Sequence, residues 1–192
     1  QKPFSVSGLT MTRADFVSNT SFAALRLDYS SSTPVAQTKI DIDNLDITGF
    51  DIGLYVDGGA SADVQSVSVR QCRVKVNTLN TGGISSVVPT VNCNRCKQVI
   101  IENCELEAFS NLEVNNIYTI GSSVVTVSNN RIIKGIGIKA NAGDTVITGH
   151  RLSCLSVHGN SFETCSYAAL VSSADQPVDV ISIRDNYMSL CT

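Results

Sequence analysis

One pattern of apolar positions recurs along the chain and predicts its fold. In each copy, two apolar residues stand two positions apart. A residue expected to face inward comes three positions later, and a last apolar residue two positions after that. The copies start at Phe4, Ile40, Val67, Val99, Val125, Leu155 and Ile181, and successive starts are 26 to 36 residues apart. A constant unit with spacers of variable length is typical of a β-solenoid with loops inserted between its strands.

The spacing inside each copy predicts two short strands joined by a bend. Side chains two positions apart lie on one face of a strand, so the three-residue step shifts the alternation once in every copy. A sharp turn at that step keeps both apolar faces directed inward. The last three copies place Asn130, Asn160 and Asn186 at the bend. Asn tolerates left-handed backbone torsions, and stacked Asn side chains can form a ladder of amide hydrogen bonds.

A third strand is expected to complete each coil. The candidates are Leu25–Leu27, Leu54–Val56, Ile84–Val88, Ile117–Ile120, Ile136–Ile138 and Ala169–Val171. Segments rich in Gly, Ser, Asn, Asp and Pro follow these strands and are predicted to be loops, namely 57–63, 88–97, 140–153 and 172–177. The predicted fold class is therefore all-β, a right-handed single-stranded parallel β-helix of about seven coils that forms one domain over residues 1–192.

Composition agrees with a solenoid and excludes some partners. Charged residues make up 16% of the 192 residues, and Trp is absent. The net charge is −3 and no run of Lys and Arg exceeds two neighbours, so we expect no nucleic-acid partner. No stretch of 18 apolar residues occurs, so we expect no membrane insertion.

The two ends of the repeat array lack caps in the sequence. No amphipathic capping helix precedes Phe4, and the last repeat stops inside a coil at Thr192. An open solenoid end exposes strand edges and apolar core. We therefore expect this domain to be a fragment of a longer chain, or its ends to be covered by partner chains.

The repeat, the bend and the Asn ladder together resemble right-handed parallel β-helices of the pectate-lyase-like class. The resemblance covers roughly residues 4–192. The irregular coil lengths, the Ser-, Thr-, Asn- and Val-rich strands and the segment GFDIGLYVDGG at 49–59 are most similar to bacteriophage tailspikes, and next to bacterial polysaccharide lyases and epimerases. The calcium-binding Asp cluster and the catalytic Arg of pectate lyases have no match in this sequence.

The cysteines are interpreted as core residues. Cys72, Cys104, Cys165 and Cys191 fall on inward positions, as small residues of a reducing compartment would. Cys93 and Cys96 form a CxxC that is assigned to a long loop, where they should be the most reactive thiols. One CxxC without a second pair is a poor zinc site, so no metal and no cofactor are expected.

Most charged residues alternate in sign from coil to coil. Stacking the repeats gives the series Asp43–Arg70–Glu102, Asp46–Arg73–Glu105–Arg131 and Lys75–Glu107. Neighbouring coils are about 4.8 Å apart, so these residues are predicted to form cross-strand ion pairs. These charged residues would otherwise be catalytic candidates, and we instead expect them to stabilise the stack of coils.

Two acidic residues remain without an opposite charge in this alignment. Asp28 and Asp57 occupy the same position on consecutive coils, and two stacked carboxylates about 5 Å apart have the separation that retaining glycosidases use. They are the candidate catalytic pair, with Tyr29, Tyr55 and Tyr118 in the same strand layer as candidate sugar-binding residues. The alternative is structural, since Asp at the end of a strand often accepts hydrogen bonds from turn amides.

These features and the resemblance imply a tailspike-like protein of the virion tail. The resemblance implies a homotrimer that binds a bacterial cell-surface polysaccharide. A stronger form of this hypothesis adds hydrolysis of that polysaccharide. One alternative is a secreted bacterial polysaccharide lyase or epimerase, for which His158 near Arg184 is the only indication. A second alternative is a non-enzymatic adhesin or spacer. Fold resemblance alone carries much of this choice.

Overall fold

The computed structural model is a parallel β-solenoid with three sheets. It describes residues 3–13, 23–29, 38–59, 64–76, 89–109, 114–143, 151–172 and 177–191. The chain passes through sheet A, then sheet B, then sheet C, and each strand pairs in parallel with its equivalents in the neighbouring coils. The all-β parallel solenoid expected from the repeat is confirmed, while its right-handed winding stays a prediction.

The strands are short in all three sheets. Sheet A consists of β1 (Phe4–Ser7), β4 (Thr38–Asp43), β7 (Val64–Arg70), β10 (Gln98–Glu102), β13 (Val124–Ser128), β16 (Cys154–His158) and β19 (Val180–Arg184). Sheet B consists of β2 (Thr10–Thr12), β5 (Asp46–Phe50), β8 (Arg73–Val76), β11 (Glu105–Glu107), β14 (Arg131–Ile133), β17 (Ser161–Glu163) and β20 (Tyr187–Ser189). Sheet C consists of β3 (Ala23–Asp28), β6 (Ile52–Asp57), β9 (Val91–Asn94), β12 (Asn115–Ile120), β15 (Ile136–Asn141) and β18 (Tyr167–Ser172).

The expected number of about seven coils has to be reduced. The inward side chains of sheet A are fully buried from Ile40 in β4 to Leu155 in β16, which lie about four turns apart. Strands of flanking coils pair onto this stack, but Ile181 and Ile183 of β19 are 50% and 49% exposed. A coil at the end of a stack has a neighbour on one side only, so nothing in the described structure covers its other side. The closed solenoid is about four turns long.

The Asn ladder at the bend between sheets A and B is confirmed. Nδ2 of Asn130 donates to Oδ1 of Asn160, and Nδ2 of Asn160 donates to Oδ1 of Asn186, both at 3.0 Å. The same oxygens accept backbone N–H groups, since Asn160 Oδ1 also receives the N–H of Asn130 at 3.0 Å. Asn130 and Asn160 are almost fully buried, so the ladder supplies partners for amides that water cannot reach.

The left-handed torsion at this bend belongs to the residue before the ladder position, not to the ladder Asn itself. Its φ lies between +52° and +70° in every coil, at Gly8, Asn44, Gln71, Asn103, Asn129, Gly159 and Asp185. One left-handed residue turns the chain and returns the following side chain to the interior. This is why Leu45, Cys72 and Asn130 can all occupy the inward position that follows it.

Most of the predicted charge series forms ion pairs, while Asp43–Arg70 and Asp46–Arg73 are register neighbours that form no ion pair in the described part of the chain. The pairs of sheet B lie on its outer face. Arg73 and Arg131 both bind Glu105, at 3.2 and 3.1 Å, and Arg131 also binds Glu163 at 2.9 Å. A parallel series joins Lys75 and Lys134 to Glu107 at 3.0 and 2.8 Å. On sheet A, Arg70 pairs with Glu102. Exposed pairs of this kind each contribute at most about 1 kcal/mol, and they favour the correct register because a slip brings like charges together.

The third strand of one coil was predicted in the wrong segment. Ile84–Val88 lies outside the described residues, and the strand of sheet C in that coil is β9, which the sequence analysis assigned to a loop. Val91 and Cys93 align with Leu54 and Val56 of β6 and face the interior. The long spacer before β9 hid this two-residue alternation among Asn and Cys residues.

The shift of this strand also corrects the predicted cysteine environments. Cys93 and Cys96 are buried within the solenoid, and burial raises the pKa of Cys93 to about 12 and raises that of Cys96 as well. Cys72 and Cys104 are buried neighbours as predicted, because the N–H of Cys72 contacts Sγ of Cys104 at 3.4 Å. All seven cysteines are free thiols.

The Asn ladder generates a stability prediction. Asn160→Ala should lower the free energy of unfolding by about 2–3 kcal/mol, because the buried N–H of Asn130 loses its acceptor and the buried carbonyl of Val127 loses a donor. Denaturant unfolding measures the loss. Asn186→Ala is the matched control and should cost less than half as much, since Asn186 is only half-buried. Equal losses in the two variants would contradict the ladder's role.

Thiol reactivity tests the corrected cysteine positions. In the native protein at pH 8, Cys93 and Cys96 should react with a bulky disulfide reagent only after unfolding, because they are buried protonated thiols. Cys154 is half-buried at the start of β16 and should react before them. Cys191 is half-buried too, so the double variant Cys154→Ser, Cys191→Ser should remove the early phase. An early phase that survives in the double variant would contradict the burial of Cys93 and Cys96.

Candidate functional site

The candidate residues from the sequence lie on or beside the outer face of sheet C. Strand register aligns two outward rows across its coils. The first row is Arg26, Tyr55, Asn92, Tyr118, Lys139 and Leu170. The second row contains Asp28, Asp57 and Asn94, followed in later coils by Ile120, Asn141 and Ser172. No other face brings together the candidate carboxylates and tyrosines among the described residues.

Asp28 and Asp57 are neighbours on consecutive coils, as predicted, but neither lacks an opposite charge. Nη1 of Arg95 donates to both carboxylate oxygens of Asp57 at 3.0 Å. Nη2 of Arg26 donates to Asp28 at 2.7 Å. The premise that this pair is uncompensated is therefore wrong, because each carboxylate has its own guanidinium.

Asp57 also serves the turn that follows it. Its Oδ1 accepts the backbone N–H of Gly59 at 2.9 Å, and its Oδ2 accepts the hydroxyl of Tyr55 at 3.2 Å. The residue is only 4% exposed, so these donors and Arg95 replace the water that an ionised carboxylate needs. This matches the structural alternative for a strand-end Asp.

Gly58 allows the two coils to meet at this corner. A Cβ at Gly58 would lie 2.1 Å from the carbonyl oxygen of Arg95, which is an impossible contact. The missing side chain lets the Arg95 backbone approach, and Arg95 itself turns with a φ of +55°. The Asp-Gly-Gly sequence at 57–59 is thus a docking corner for the next coil.

The three tyrosines do not form one cluster. Tyr55 and Tyr118 face outward in the same row, with Asn92 of the intervening coil between them. Tyr29 follows β3, is partly buried and packs against the core, so it does not share the outward row, and its role in sugar binding stays a prediction. It has the same alternation as the inward residues Leu25 and Leu27, which explains its direction.

Both outward tyrosines are held in fixed positions. The Arg26 guanidinium lies 4.8 Å from the centroid of the Tyr55 ring. Burial and the neighbouring carboxylates raise the pKa of Tyr55 to about 12, so its hydroxyl remains a donor at physiological pH. The Tyr118 hydroxyl accepts a hydrogen bond from Nδ2 of Asn141 at 2.9 Å.

Amide side chains surround these rings. Asn94 Oδ1 accepts the N–H of Ile120 at 3.2 Å. The Oδ1 atoms of Asn92 and Asn141 have no hydrogen-bond partner in the part of the chain that the structure describes. Both oxygens have almost no solvent-accessible surface, so a ligand on the outer face does not contact them in this conformation.

The described segments lack two further features. They contain no group of three or more His, Cys, Asp or Glu side chains placed to hold a metal ion. They also contain no helix that is long and apolar enough to span a membrane.

His158 and Arg184 are register neighbours on β16 and β19, on the outer face of sheet A. The structure therefore brings together the two residues on which the lyase alternative depends. They lie on a different sheet from Asp28 and Asp57, so the two candidate sites do not combine.

Comparison of the chain with protein-family models, with curated proteins and with solved structures gave no significant match. The parallel solenoid is thus established by its strands and register alone.

Sequence reasoning missed Arg95 and the amide row. Aligning 91–94 with 54–57 would have placed Asn94 beside Asp57 and Arg95 at the corner that follows it. That signal was present, but the third strand had been assigned to Ile84–Val88. Lys139 was overlooked because it has no charged neighbour in the stacked repeats.

The Arg95–Asp57 pair makes a clear prediction. Asp57→Asn should lower the free energy of unfolding by about 2–3 kcal/mol, because it removes the charge of the carboxylate to which the largely buried Arg95 guanidinium donates. Asp28→Asn should cost less than about 1 kcal/mol, since its partner Arg26 is 60% exposed. Thermal and denaturant unfolding measure both. An Asp57→Asn variant of unchanged stability would support the catalytic interpretation instead.

Proposed function

We propose that this solenoid binds a bacterial cell-surface polysaccharide along the outer face of sheet C, as part of a tailspike-like protein. The observation that carries the proposal is the placement of Tyr55 and Tyr118 in one outward row, two strand spacings apart. Two spacings amount to about 10 Å. That distance is comparable to the length of a disaccharide unit, so the two rings can contact successive parts of one extended glycan.

The polar groups around the rings suit sugar hydroxyls. Arg26 is 60% exposed and offers guanidinium donors beside Tyr55. The Tyr118 hydroxyl, which is held by Nδ2 of Asn141, is a second polar group on this face. An apolar platform with a few placed donors and acceptors is the usual composition of a small-molecule site.

Binding is better supported than hydrolysis. Retaining hydrolysis needs one carboxylate free to act as nucleophile and the other to exchange a proton. Asp57 is almost fully buried and accepts hydrogen bonds from Arg95, Tyr55 and Gly59, so attack on a sugar would require that network to break. We therefore assign Asp57 to the scaffold of the face, with Asp28 as a polar group at its edge.

The tailspike hypothesis includes an assembly and a location. It places the protein in the virion tail, as a homotrimer of parallel solenoids. A single monomeric species of the full-length protein in light scattering would favour the secreted lyase or epimerase, whose candidate residues are His158 and Arg184. Retained trimers without any glycan binding would favour the adhesin or spacer.

Glycan binding can be tested on an array of purified bacterial surface polysaccharides. The full-length protein should bind at least one of them, and Tyr118→Ala should weaken that binding on the order of tenfold, the loss expected for one aromatic contact of about 1.4 kcal/mol. Tyr187→Ala is the control, because Tyr187 lies on sheet B and is 67% exposed. Unchanged binding in Tyr118→Ala, with Tyr187→Ala also unchanged, would exclude this face.

A further inference from the structure

Lys139 differs from every other cationic side chain that the structure describes. Most Lys and Arg side chains there form ion pairs, including Arg26 and Arg95 on sheet C. Among the Lys and Arg residues that the structure describes, four have no ion pair: Lys39, Lys97, Lys139 and Arg184. Lys39, Lys97 and Arg184 are exposed, whereas Lys139 is partly buried. A partly buried Lys side chain without a countercharge leaves its ammonium available to an anionic ligand, so this position is a candidate binding group.

The neighbours of Lys139 form a surface suited to a sugar. Strand register places Tyr118 on one side of it and Leu170 on the other. Asn141 lies two residues further along the same strand and face, with Nδ2 bonded to Tyr118 and Oδ1 without a partner in the described structure. The cation thus stands beside an aromatic ring whose hydroxyl is held by a neighbouring amide.

We propose that Lys139, Tyr118 and Asn141 form a subsite for an anionic sugar residue of the bound glycan. The ammonium pairs with the anionic substituent, the Tyr118 ring supports the sugar, and Asn141 holds the Tyr118 hydroxyl in place through Nδ2. The substituent is the carboxylate of a uronic acid or a phosphate or sulfate ester, because a Lys ammonium acts as a point charge for any of them. The proposal rests on glycan binding by sheet C and adds its charge specificity.

The experiment compares three sets of purified bacterial polysaccharides on one array: uronic-acid-containing, phosphate- or sulfate-bearing, and neutral. The full-length protein should prefer one of the two anionic sets, and chemical reduction of the carboxyl groups should remove binding if uronic acids are responsible. Lys139→Gln should weaken binding to the preferred anionic set on the order of tenfold. The midpoint of thermal unfolding of the Lys139→Gln variant should be unchanged or higher. This substitution should also reduce the dependence of binding on salt concentration.

Lys39→Gln is the matched control, because it removes the same charge from an exposed, unpaired Lys on sheet A. Its binding should equal that of the unaltered protein. Equal binding of neutral and anionic glycans, with Lys139→Gln unaffected, would overturn the subsite while leaving glycan binding by this face intact. Binding to no polysaccharide of any set would overturn both proposals. An equal loss in Lys39→Gln would indicate attraction by overall charge and would also overturn the subsite.

Discussion

Parallel stacking in register is the constraint on which the rest of this molecule depends. Each residue of a strand lies about 4.8 Å from its equivalent in the next coil, so every position must tolerate its own neighbours along the stack. Apolar side chains meet this condition easily and fill the interior. An amide meets it because one Asn can donate to the next and accept from the one before, as Asn130, Asn160 and Asn186 do. Like charges in register need separate partners, as Asp28 and Asp57 have in Arg26 and Arg95, whereas along sheet B the charges alternate.

This constraint explains why much of the fold can be predicted from sequence. The two strands flanking the Asn bend keep a fixed spacing, so their copies can be aligned by eye and their register follows. The ion pairs around Glu105 and Glu107 then follow from the alignment. Sheet C is harder, because spacers of variable length precede its strands. In its own coil, β9 has only Val91 and Cys93 as inward residues. The more apolar sequence of Ile84–Val88 therefore matched the strand pattern better than the sequence of β9 did.

The candidate face was predictable only in part, for the same reason. Asp28, Asp57 and the two outward tyrosines share positions that could be aligned within single repeats. The partner of Asp57 is Arg95, which lies 38 residues later and depends on the register of β9. Because β9 was not predicted as a strand, Arg95 was not placed beside Asp57. Asp57 therefore seemed to lack an opposite charge and became a catalytic candidate. The direction of the Tyr29 side chain was not predicted, because Tyr29 lies just beyond the end of β3, where the alternation of apolar and polar residues no longer indicates which side chains face outward.

The alternation of charge on sheet B restricts how this molecule can change in length. Along the series Arg73, Glu105, Arg131 and Glu163, each step to the next coil reverses the sign. Loss of a single coil would bring Arg73 against Arg131, and duplication of one coil would place two identical charges side by side. Loss or gain of two coils restores opposite neighbours. Insertion or deletion of two coils therefore preserves opposite charges between neighbouring coils of sheet B, whereas insertion or deletion of one coil does not.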